Sequence, residues 1–141
     1  MTEWLKAQKS DRIFFPRRTD AGLVGIGIDV VSLSRAKLFL EKHRERAVRK
    51  ILTAREARRF PGKKLTVEQF SRLFAAKEAY FKACGGTWLG LEGFASIHVE
   101  PVSDKHFRAA SARIRPAEGG KAEGVFFSGP GLVGAEVVIW S

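Results

Sequence analysis

The amino-acid sequence predicts an α+β fold, with helices concentrated in the first half of the chain and strands in the second. A β-branched segment at 23–31 is followed by helical patterns up to residue 84. Beyond residue 93, four short segments of strand-like composition are separated by glycine, proline and lysine. This order, one strand, then two or three helices, then three or four strands, is that of an α+β protein.

The length of 141 residues corresponds to one domain with its own hydrophobic core. Residues 1–21 are polar and basic without a sustained period, and are interpreted as an N-terminal extension of a domain that spans 22–141. No apolar run approaches the roughly 20 residues of a membrane helix, and the first residues lack the apolar stretch of a signal peptide. The single cysteine, Cys84, cannot form an internal disulfide, so a cytoplasmic location is expected.

The positive charge of the chain is unevenly distributed. The formal net charge is +10. Residues 1–64 carry 17 Lys and Arg against 7 Asp and Glu, whereas residues 65–141 carry 8 of each. Such a basic surface suits a nucleic acid, an anionic membrane surface, a phosphate-rich cofactor or an acidic protein. An ordinary solvated helix surface is the alternative.

Local signals place the individual elements. The segment 23–31 is predicted to be a short buried strand, followed by an amphipathic, strongly basic helix that starts near residue 32. Residues 53–56 and 66–69 both have the form of a capping box, so a short helix and then a long helix ending at Gly85 are expected. Strands are predicted at 94–99, 107–114, 125–128 and 134–140.

Glu78 and Lys82 are four residues apart in the long predicted helix, so their side chains project from one face. A carboxylate and an amine presented together are candidates for chemistry. A surface ion pair worth a few tenths of a kcal/mol explains the same spacing. The spacing alone therefore leaves both interpretations open.

Asp29 follows a strand of the form Gly-Ile-Gly-Ile, in which Gly25 and Gly27 leave room for a ligand or for another backbone. A dinucleotide-binding loop is not indicated, because no third glycine follows at the required spacing. An Asp at the end of a strand also commonly caps the next helix, here near Ser32. Asp29 is thus a candidate ligand or a candidate helix cap.

These pieces, taken in order, resemble a known family. The motifs are Gly-Ile-Gly-Ile-Asp at 25–29, Arg35, Ile-Leu-Thr at 51–53 leading to Glu56, and Phe-Ala-Ala-Lys-Glu-Ala at 74–79 followed by Lys82-Ala83. Over roughly residues 23–100 they resemble the holo-acyl carrier protein synthases, the 4'-phosphopantetheinyl transferases of fatty-acid synthesis. The resemblance implies a small single-domain 4'-phosphopantetheinyl transferase-like fold, with an antiparallel sheet packed against the long motif helix.

The resemblance also implies a reaction. The family transfers phosphopantetheine from coenzyme A to a serine of a carrier protein and releases adenosine 3',5'-bisphosphate. Its magnesium ligands correspond to Asp29 and Glu78, and carboxylate and phosphate oxygens suit Mg²⁺. Glu78 and Lys82 are the expected catalytic residues, with Lys82 stabilising charge at the transferred phosphate. Contacts to coenzyme A are expected from Lys63, Lys77, Lys82 and Ser128.

An acidic acyl carrier protein is the partner that the resemblance implies. The family grips it with its first helix, on which Arg35, Lys42 and Arg44 lie here, and complementary charge would mainly accelerate association. The resemblance further implies a homotrimer with sites shared between neighbouring subunits. Nucleic acid is not expected as a partner, and no membrane span is expected.

The sequence departs from the family pattern beyond residue 100. Where the family has a Ser-His pair on a late strand, this chain has Ser128 followed by Gly129, and Trp88 replaces a small residue after the motif helix. Three hypotheses therefore stay open. The chain is an active but divergent transferase, a catalytically degenerate homologue that binds coenzyme A or the carrier, or a basic nucleic-acid-binding module.

Overall fold

The computed structural model describes residues 22–60, 65–86, 91–116 and 119–141. Five strands form one antiparallel sheet, whose spatial order is first, fifth, fourth, third and second strand. The α+β fold predicted from the sequence is confirmed. The proposed extension, residues 1–21, lies outside the described residues. Among those that are described, no helix is both long enough and apolar enough to cross a membrane.

The elements follow one another with short connections. In chain order they are β1 (Leu23–Ser32), α1 (Leu33–Ile51), α2 (Ala54–Arg59), α3 (Val67–Ala83), a 3₁₀ helix (Leu91–Ser96), β2 (Ile97–Pro101), β3 (His106–Ser111), β4 (Lys121–Gly129) and β5 (Leu132–Trp140).

Both predicted capping boxes are present. Thr53 and Glu56 exchange side-chain and backbone hydrogen bonds at the start of α2, and Thr66 and Gln69 do the same at the start of α3. Helix α1 is capped by Ser32, whose hydroxyl accepts from the backbone N–H of Arg35. The alternative in which Asp29 caps this helix is therefore wrong.

Several strand predictions had the wrong bounds, including the one at 107–114, since β3 ends at Ser111. Residues 94–96 belong to the 3₁₀ helix, and the strand starts only at Ile97. Strand β4 starts at Lys121, before the predicted start at residue 125, because Lys121 pairs with Trp140 of the long strand β5. Pairing with a neighbouring strand thus extended β4 into residues with low strand propensity.

Helix α3 lies directly on β1 and β5 at the centre of the core. A side chain at Gly25 would overlap the carbonyl oxygen of Ala83, and one at Gly27 would overlap that of Ala79. Of the two explanations for these glycines, close approach of another backbone is the one that the structure supports. The second half of α3 is thereby held against β1 where that strand reaches Asp29.

Candidate functional site

Asp29 lies on the side of β1 that faces α3. Side chains alternate along a strand, so Asp29 shares this side with Gly25 and Gly27. Its Oδ1 accepts a hydrogen bond from Lys82 Nζ at 3.1 Å, and the same ammonium group donates to the Ile28 carbonyl at 3.1 Å. The Asp29 side chain is 17% exposed and that of Lys82 is 49% exposed. Lys82 is therefore paired across the helix–strand contact.

Glu78 lies one turn before Lys82 on α3 and is half-buried. Burial raises the pKa of the Glu78 carboxyl group, and the nearby charge of Asp29 raises it further, whereas Lys82 opposes both effects. Burial likewise raises the pKa of Asp29, against the lowering effect of its hydrogen bond from Lys82. The two carboxylates are thus close enough to repel each other, although they come from distant parts of the sequence.

This pair of carboxylates fits a hard divalent cation. Both are partly removed from water and the charge of Asp29 disfavours that of Glu78, so a cation shared between them would relieve the repulsion. Mg²⁺ takes oxygen ligands and commonly uses one or two carboxylates with water and phosphate oxygens. Within the described ranges no group of three or more His, Cys, Asp or Glu side chains is placed to hold a metal. Asp29 and Glu78 would leave most ligand positions to water and substrate.

A cavity of about 360 Å³ opens beside Asp29, between β1, α1 and α3. Phe39, Phe70 and Phe74 contribute aromatic rings to its lining, and Asp29 and Arg35 supply its charged groups. The Phe39 and Phe70 rings stack at a centroid distance of 5.9 Å. An apolar surface therefore adjoins the carboxylate pair, a feature that the sequence analysis did not anticipate.

The expectation that Lys77 contacts coenzyme A is wrong. Its side chain is fully buried, at 0% exposure, and its ammonium group is satisfied inside the protein. It donates to Glu56 Oε1 at 2.6 Å, to the Phe94 carbonyl at 3.0 Å and to the Ile51 carbonyl. An ammonium with three acceptors in the core has no donor left for a ligand at the surface.

Of the other residues expected at coenzyme A, Lys82 joins the carboxylate pair, whereas Ser128 does not do so within one subunit. Ser128 is exposed on β4, and β5 separates that strand from β1. In the strand register Ser128 pairs with Val133, which pairs with Val31, so roughly 10 Å of sheet separates Ser128 from β1. Lys63 lies outside the described residues, and so does Trp88.

The predicted carrier-binding residues differ in their surroundings. Arg35 and Lys42 are exposed on α1. The guanidinium group of Arg44 instead donates to the Leu65 carbonyl at 2.7 Å, which ties α1 to the segment before α3. Arg44 therefore has a structural contact in addition to any contact with a partner.

Two further charged residues make long-range contacts that were not predicted from the sequence. Glu56 is fully buried and paired with Lys77, although its capping-box position suggested only a local role. Arg72 of α3 lies 4.4 Å from the centre of the Phe126 ring and donates to the Asp104 carbonyl. No local pattern indicates the Arg72 contacts, because they join residues far apart in the chain.

Comparison with known proteins places the chain in a family. The family model of the 4'-phosphopantetheinyl transferase superfamily matches residues 25–123. A holo-[acyl-carrier-protein] synthase of Geobacter metallireducens is 40% identical over 83 residues, which cover 58% of this chain and 64% of that relative. The match thus spans slightly less than two thirds of the relative's length.

Solved structures show the same fold. The holo-[acyl-carrier-protein] synthase of Neisseria meningitidis superposes with a TM-score of 0.69 at 28% identity, over 84% of this chain and 98% of that chain. The holo-(acyl-carrier-protein) synthase of Bacillus anthracis, in complex with CoA (3',5'-ADP), has a TM-score of 0.64 at 29% identity, over 84% and 97% of the two chains. The family match ends before Ser128 and Gly129, in the region where the sequence departs from the family motifs.

Proposed function

Because this chain belongs to the 4'-phosphopantetheinyl transferase superfamily, we propose that it transfers 4'-phosphopantetheine from coenzyme A to a serine of an acidic acyl carrier protein. The observation that carries the proposal is the meeting of Asp29, Glu78 and Lys82 where α3 lies on β1. Two carboxylates beside an ammonium group suit a divalent cation together with a phosphate group. We take the cation to be Mg²⁺, held by Asp29 and Glu78.

The chain's own residues supply binding and charge. When bound, Mg²⁺ would neutralise the pyrophosphate of coenzyme A. Asp29 is oriented by its hydrogen bond from Lys82, and Glu78 is held on the same side of α3. The Lys82 side chain is half-exposed, so its ammonium group can turn from Asp29 to a phosphate oxygen beside the carboxylates. There it would stabilise the negative charge that develops during transfer.

In the proposed reaction the carrier serine oxygen forms a bond to the phosphorus atom that carries pantetheine. The bond from this phosphorus to the bridging oxygen of the pyrophosphate breaks, and adenosine 3',5'-bisphosphate leaves. The serine proton passes to a water molecule beside the site and then to solvent. Most of the rate enhancement comes from positioning and charge stabilisation.

The basic face of helix α1 favours the binding of an acidic partner next to this site. Before a break in helical geometry at His43, Arg35, Phe39 and Lys42 share one face of the helix. Arg35 and Phe39 also line the cavity beside Asp29. An acidic carrier bound on this face would bring its serine to the carboxylates, and the basic charge would raise the association rate.

A homotrimer is part of the proposal, and one face of the sheet supports self-association. Ile26, Ile28 and Val30 point away from α3 and are 47–52% exposed. Leu132, which is also exposed, pairs with the end of β1. In a trimer with shared sites, Ser128 of one subunit would serve the carboxylates of the next. We also propose a role in fatty-acid synthesis in the cytoplasm, because the proposed substrate is an acyl carrier protein.

The experiment that tests the proposal is incubation of the protein with coenzyme A, Mg²⁺ and a panel of apo carrier proteins, followed by intact-mass measurement of the carriers. We expect a mass gain of one phosphopantetheine group that disappears with EDTA. Asp29→Ala and Glu78→Ala should each reduce the rate by 100-fold or more, in line with the loss of a charge-stabilising group. Undiminished rates in both variants would refute the metal assignment.

Matched variants on α1 test the carrier surface in the same assay. Arg35→Ala should raise the KM for the carrier about tenfold, with a smaller effect at high salt. Lys37→Ala removes the same charge from the opposite face of the helix and should change this KM less than twofold.

A second candidate function follows from Gly129, which stands where the family has a histidine. A protein that binds coenzyme A but modifies no carrier in the panel would be a degenerate homologue.

A further inference from the structure

The contact between α3 and β1 has few interlocking side chains. Ala79 and Ala83 of the helix lie against Gly27 and Gly25 of the strand. Such small residues allow a close approach, but they form shallow ridges and grooves, and ridges packed into grooves are what ordinarily fix the orientation of a helix. The rotation of α3 about its own axis is therefore weakly determined by this contact.

Rotation of α3 matters for the carboxylate pair. A side-chain group lies about 6 Å from the axis of its helix, so a rotation of about 20° displaces it by roughly 2 Å. Mg²⁺ demands oxygen ligands at about 2.0–2.1 Å in near-ideal octahedral geometry. A small rotation would thus separate Glu78 from a cation held by Asp29.

Besides the core packing of Leu73, Tyr80 and Phe81, Lys77 opposes this rotation. It directly precedes Glu78, and its buried ammonium group is bonded to three other elements of the fold. The acceptors are the Ile51 carbonyl at the end of α1, the Glu56 carboxylate of α2 and the Phe94 carbonyl of the 3₁₀ helix. Lys77 is the one Lys or Arg with a fully buried side chain among the described residues.

Glu56, which accepts a hydrogen bond from Lys77, is itself held in place. Glu56 Oε1 accepts from the backbone N–H of Thr53 at 2.9 Å, and Oε2 accepts from that of Val99 at 2.9 Å. The carboxylate therefore joins the start of α2 to β2 and cannot follow a rotating helix. The hydrogen bonds and the charge attraction of this pair are strengthened by the absence of water.

We propose that Lys77 is a positioning residue for the transfer reaction. Its bonds to Glu56 and to the two carbonyls fix the rotation of α3, and this rotation sets the Glu78 carboxylate beside Asp29. Through the Ile51 carbonyl, Lys77 also links the end of α1, the helix with the carrier surface, to the helix with the metal ligand. This inference rests on the proposed function, because it assigns Glu78 to the cation.

The test uses Mn²⁺ as a probe of the cation site. Binding of Mn²⁺ to the full-length protein with coenzyme A present is followed by the electron paramagnetic resonance signal of free Mn²⁺. For Lys77→Met we expect the Mn²⁺ dissociation constant to rise at least tenfold and kcat to fall at least tenfold. The KM for the carrier should change less than threefold, because Arg35 and Lys42 are unaltered.

Two control variants separate positioning from stability. Tyr80→Phe removes another buried hydrogen bond of α3, from the Tyr80 hydroxyl to the Ile114 carbonyl at 2.7 Å. Leu73→Ala destabilises the same helix by truncating a buried side chain. Both should lower the midpoint of thermal unfolding and leave the Mn²⁺ dissociation constant within twofold of the wild-type value.

The outcomes are distinct. A folded Lys77→Met variant that binds Mn²⁺ within twofold of wild type overturns the inference. Should it fail to fold, the double variant Lys77→Met with Glu56→Gln, which leaves no unpaired buried charge, takes its place with the same expectation. Equal Mn²⁺ binding by wild type and Glu78→Ala would instead refute the proposed metal site, whatever Lys77 does.

Discussion

Glu78 shows how stability and function oppose each other at a single residue. Burial and the charge of Asp29 raise the pKa of its carboxyl group, so the folded protein holds this proton more tightly than the unfolded chain does. Where the folded state binds more protons, the free energy of unfolding falls as pH rises. The charged form of Glu78 therefore costs stability in the metal-free protein.

This linkage predicts the effect of Glu78→Gln. Below the ordinary Glu pKa of 4.5, wild type and variant should have the same stability, because the carboxyl group is protonated in both folded and unfolded states. As pH rises through the raised pKa of Glu78, the wild type should lose more stability than the variant, in which Asp29 still titrates, so the variant should melt at the higher temperature at pH 7 without metal. Thermal unfolding from pH 3 to pH 8 measures this.

Two additions make the measurement decisive. Saturating Mg²⁺ should stabilise the wild type and leave Glu78→Gln unchanged. The control is Glu41→Gln on the exposed surface of α1, which should change the free energy of unfolding by less than about 0.5 kcal/mol. A Glu78→Gln variant that is less stable than wild type at pH 7 in the absence of metal would contradict the linkage.

The sequence does not show that Lys77 and Glu78 have different surroundings. Lys77 and Glu78 are neighbours with charged side chains, and both were expected to meet ligands. Most of α3 is buried, so its hydrophobic period marks no single exposed face on which to place them. The burial of Lys77 depends on Glu56, and no local pattern indicates that these two residues meet.

At the scale of elements, the fold depends on the approach of α3 to β1. A Cβ atom at Gly27 would overlap the Ala79 carbonyl oxygen, and neither backbone can move aside cheaply because both lie in regular structure. We expect Gly27→Ala to destabilise the protein by about 3 kcal/mol. Denaturant unfolding monitored by circular dichroism measures this change.

The matched control is Gly22→Ala, just before β1. Its Cβ would meet the Ser141 hydroxyl at 3.2 Å, which is the movable end of a side chain. A loss below about 1 kcal/mol is expected there. Equal losses in the two variants would show that the helix–strand contact is not specially sensitive.

Elements whose start is marked by a local sequence pattern could be predicted. Elements that depend on contact with a distant segment of the chain were predicted less well. The capping residues Thr53 and Thr66 marked helix starts that the structure confirms. The glycines of β1 indicated a close approach, yet nothing in the sequence said whether a helix or a ligand approaches. The start of β4 was missed because Lys121 becomes part of the strand only through pairing with β5.

At the scale of the whole molecule, the sheet has one face covered by α3 and another with an apolar stripe on β1. Ile28 lies at the middle of that stripe and is 47% exposed. If this face is the contact between subunits, Ile28→Glu should convert a trimer into a monomer, because burial of an unpaired carboxylate is unfavourable. Size-exclusion chromatography with light scattering gives the mass.

Leu38→Glu is the control for this prediction. Leu38 is more exposed, at 59%, but it lies on α1 and away from the sheet. Its replacement should leave the mass unchanged. A wild-type protein that is monomeric at micromolar concentration would remove the shared-site arrangement from the proposal.

The two carboxylates of the site come from distant parts of the chain, so cation binding is coupled to folding. Asp29 precedes α1 and Glu78 follows α2, so the two carboxylates meet only after the chain between them has closed into a loop. A cation that needs both would bind the native state and not the unfolded chain. At 100 times its dissociation constant it would add about 2.7 kcal/mol to the free energy of unfolding. Cellular magnesium would then act as a conformational stabiliser of this protein as well as a participant in its chemistry.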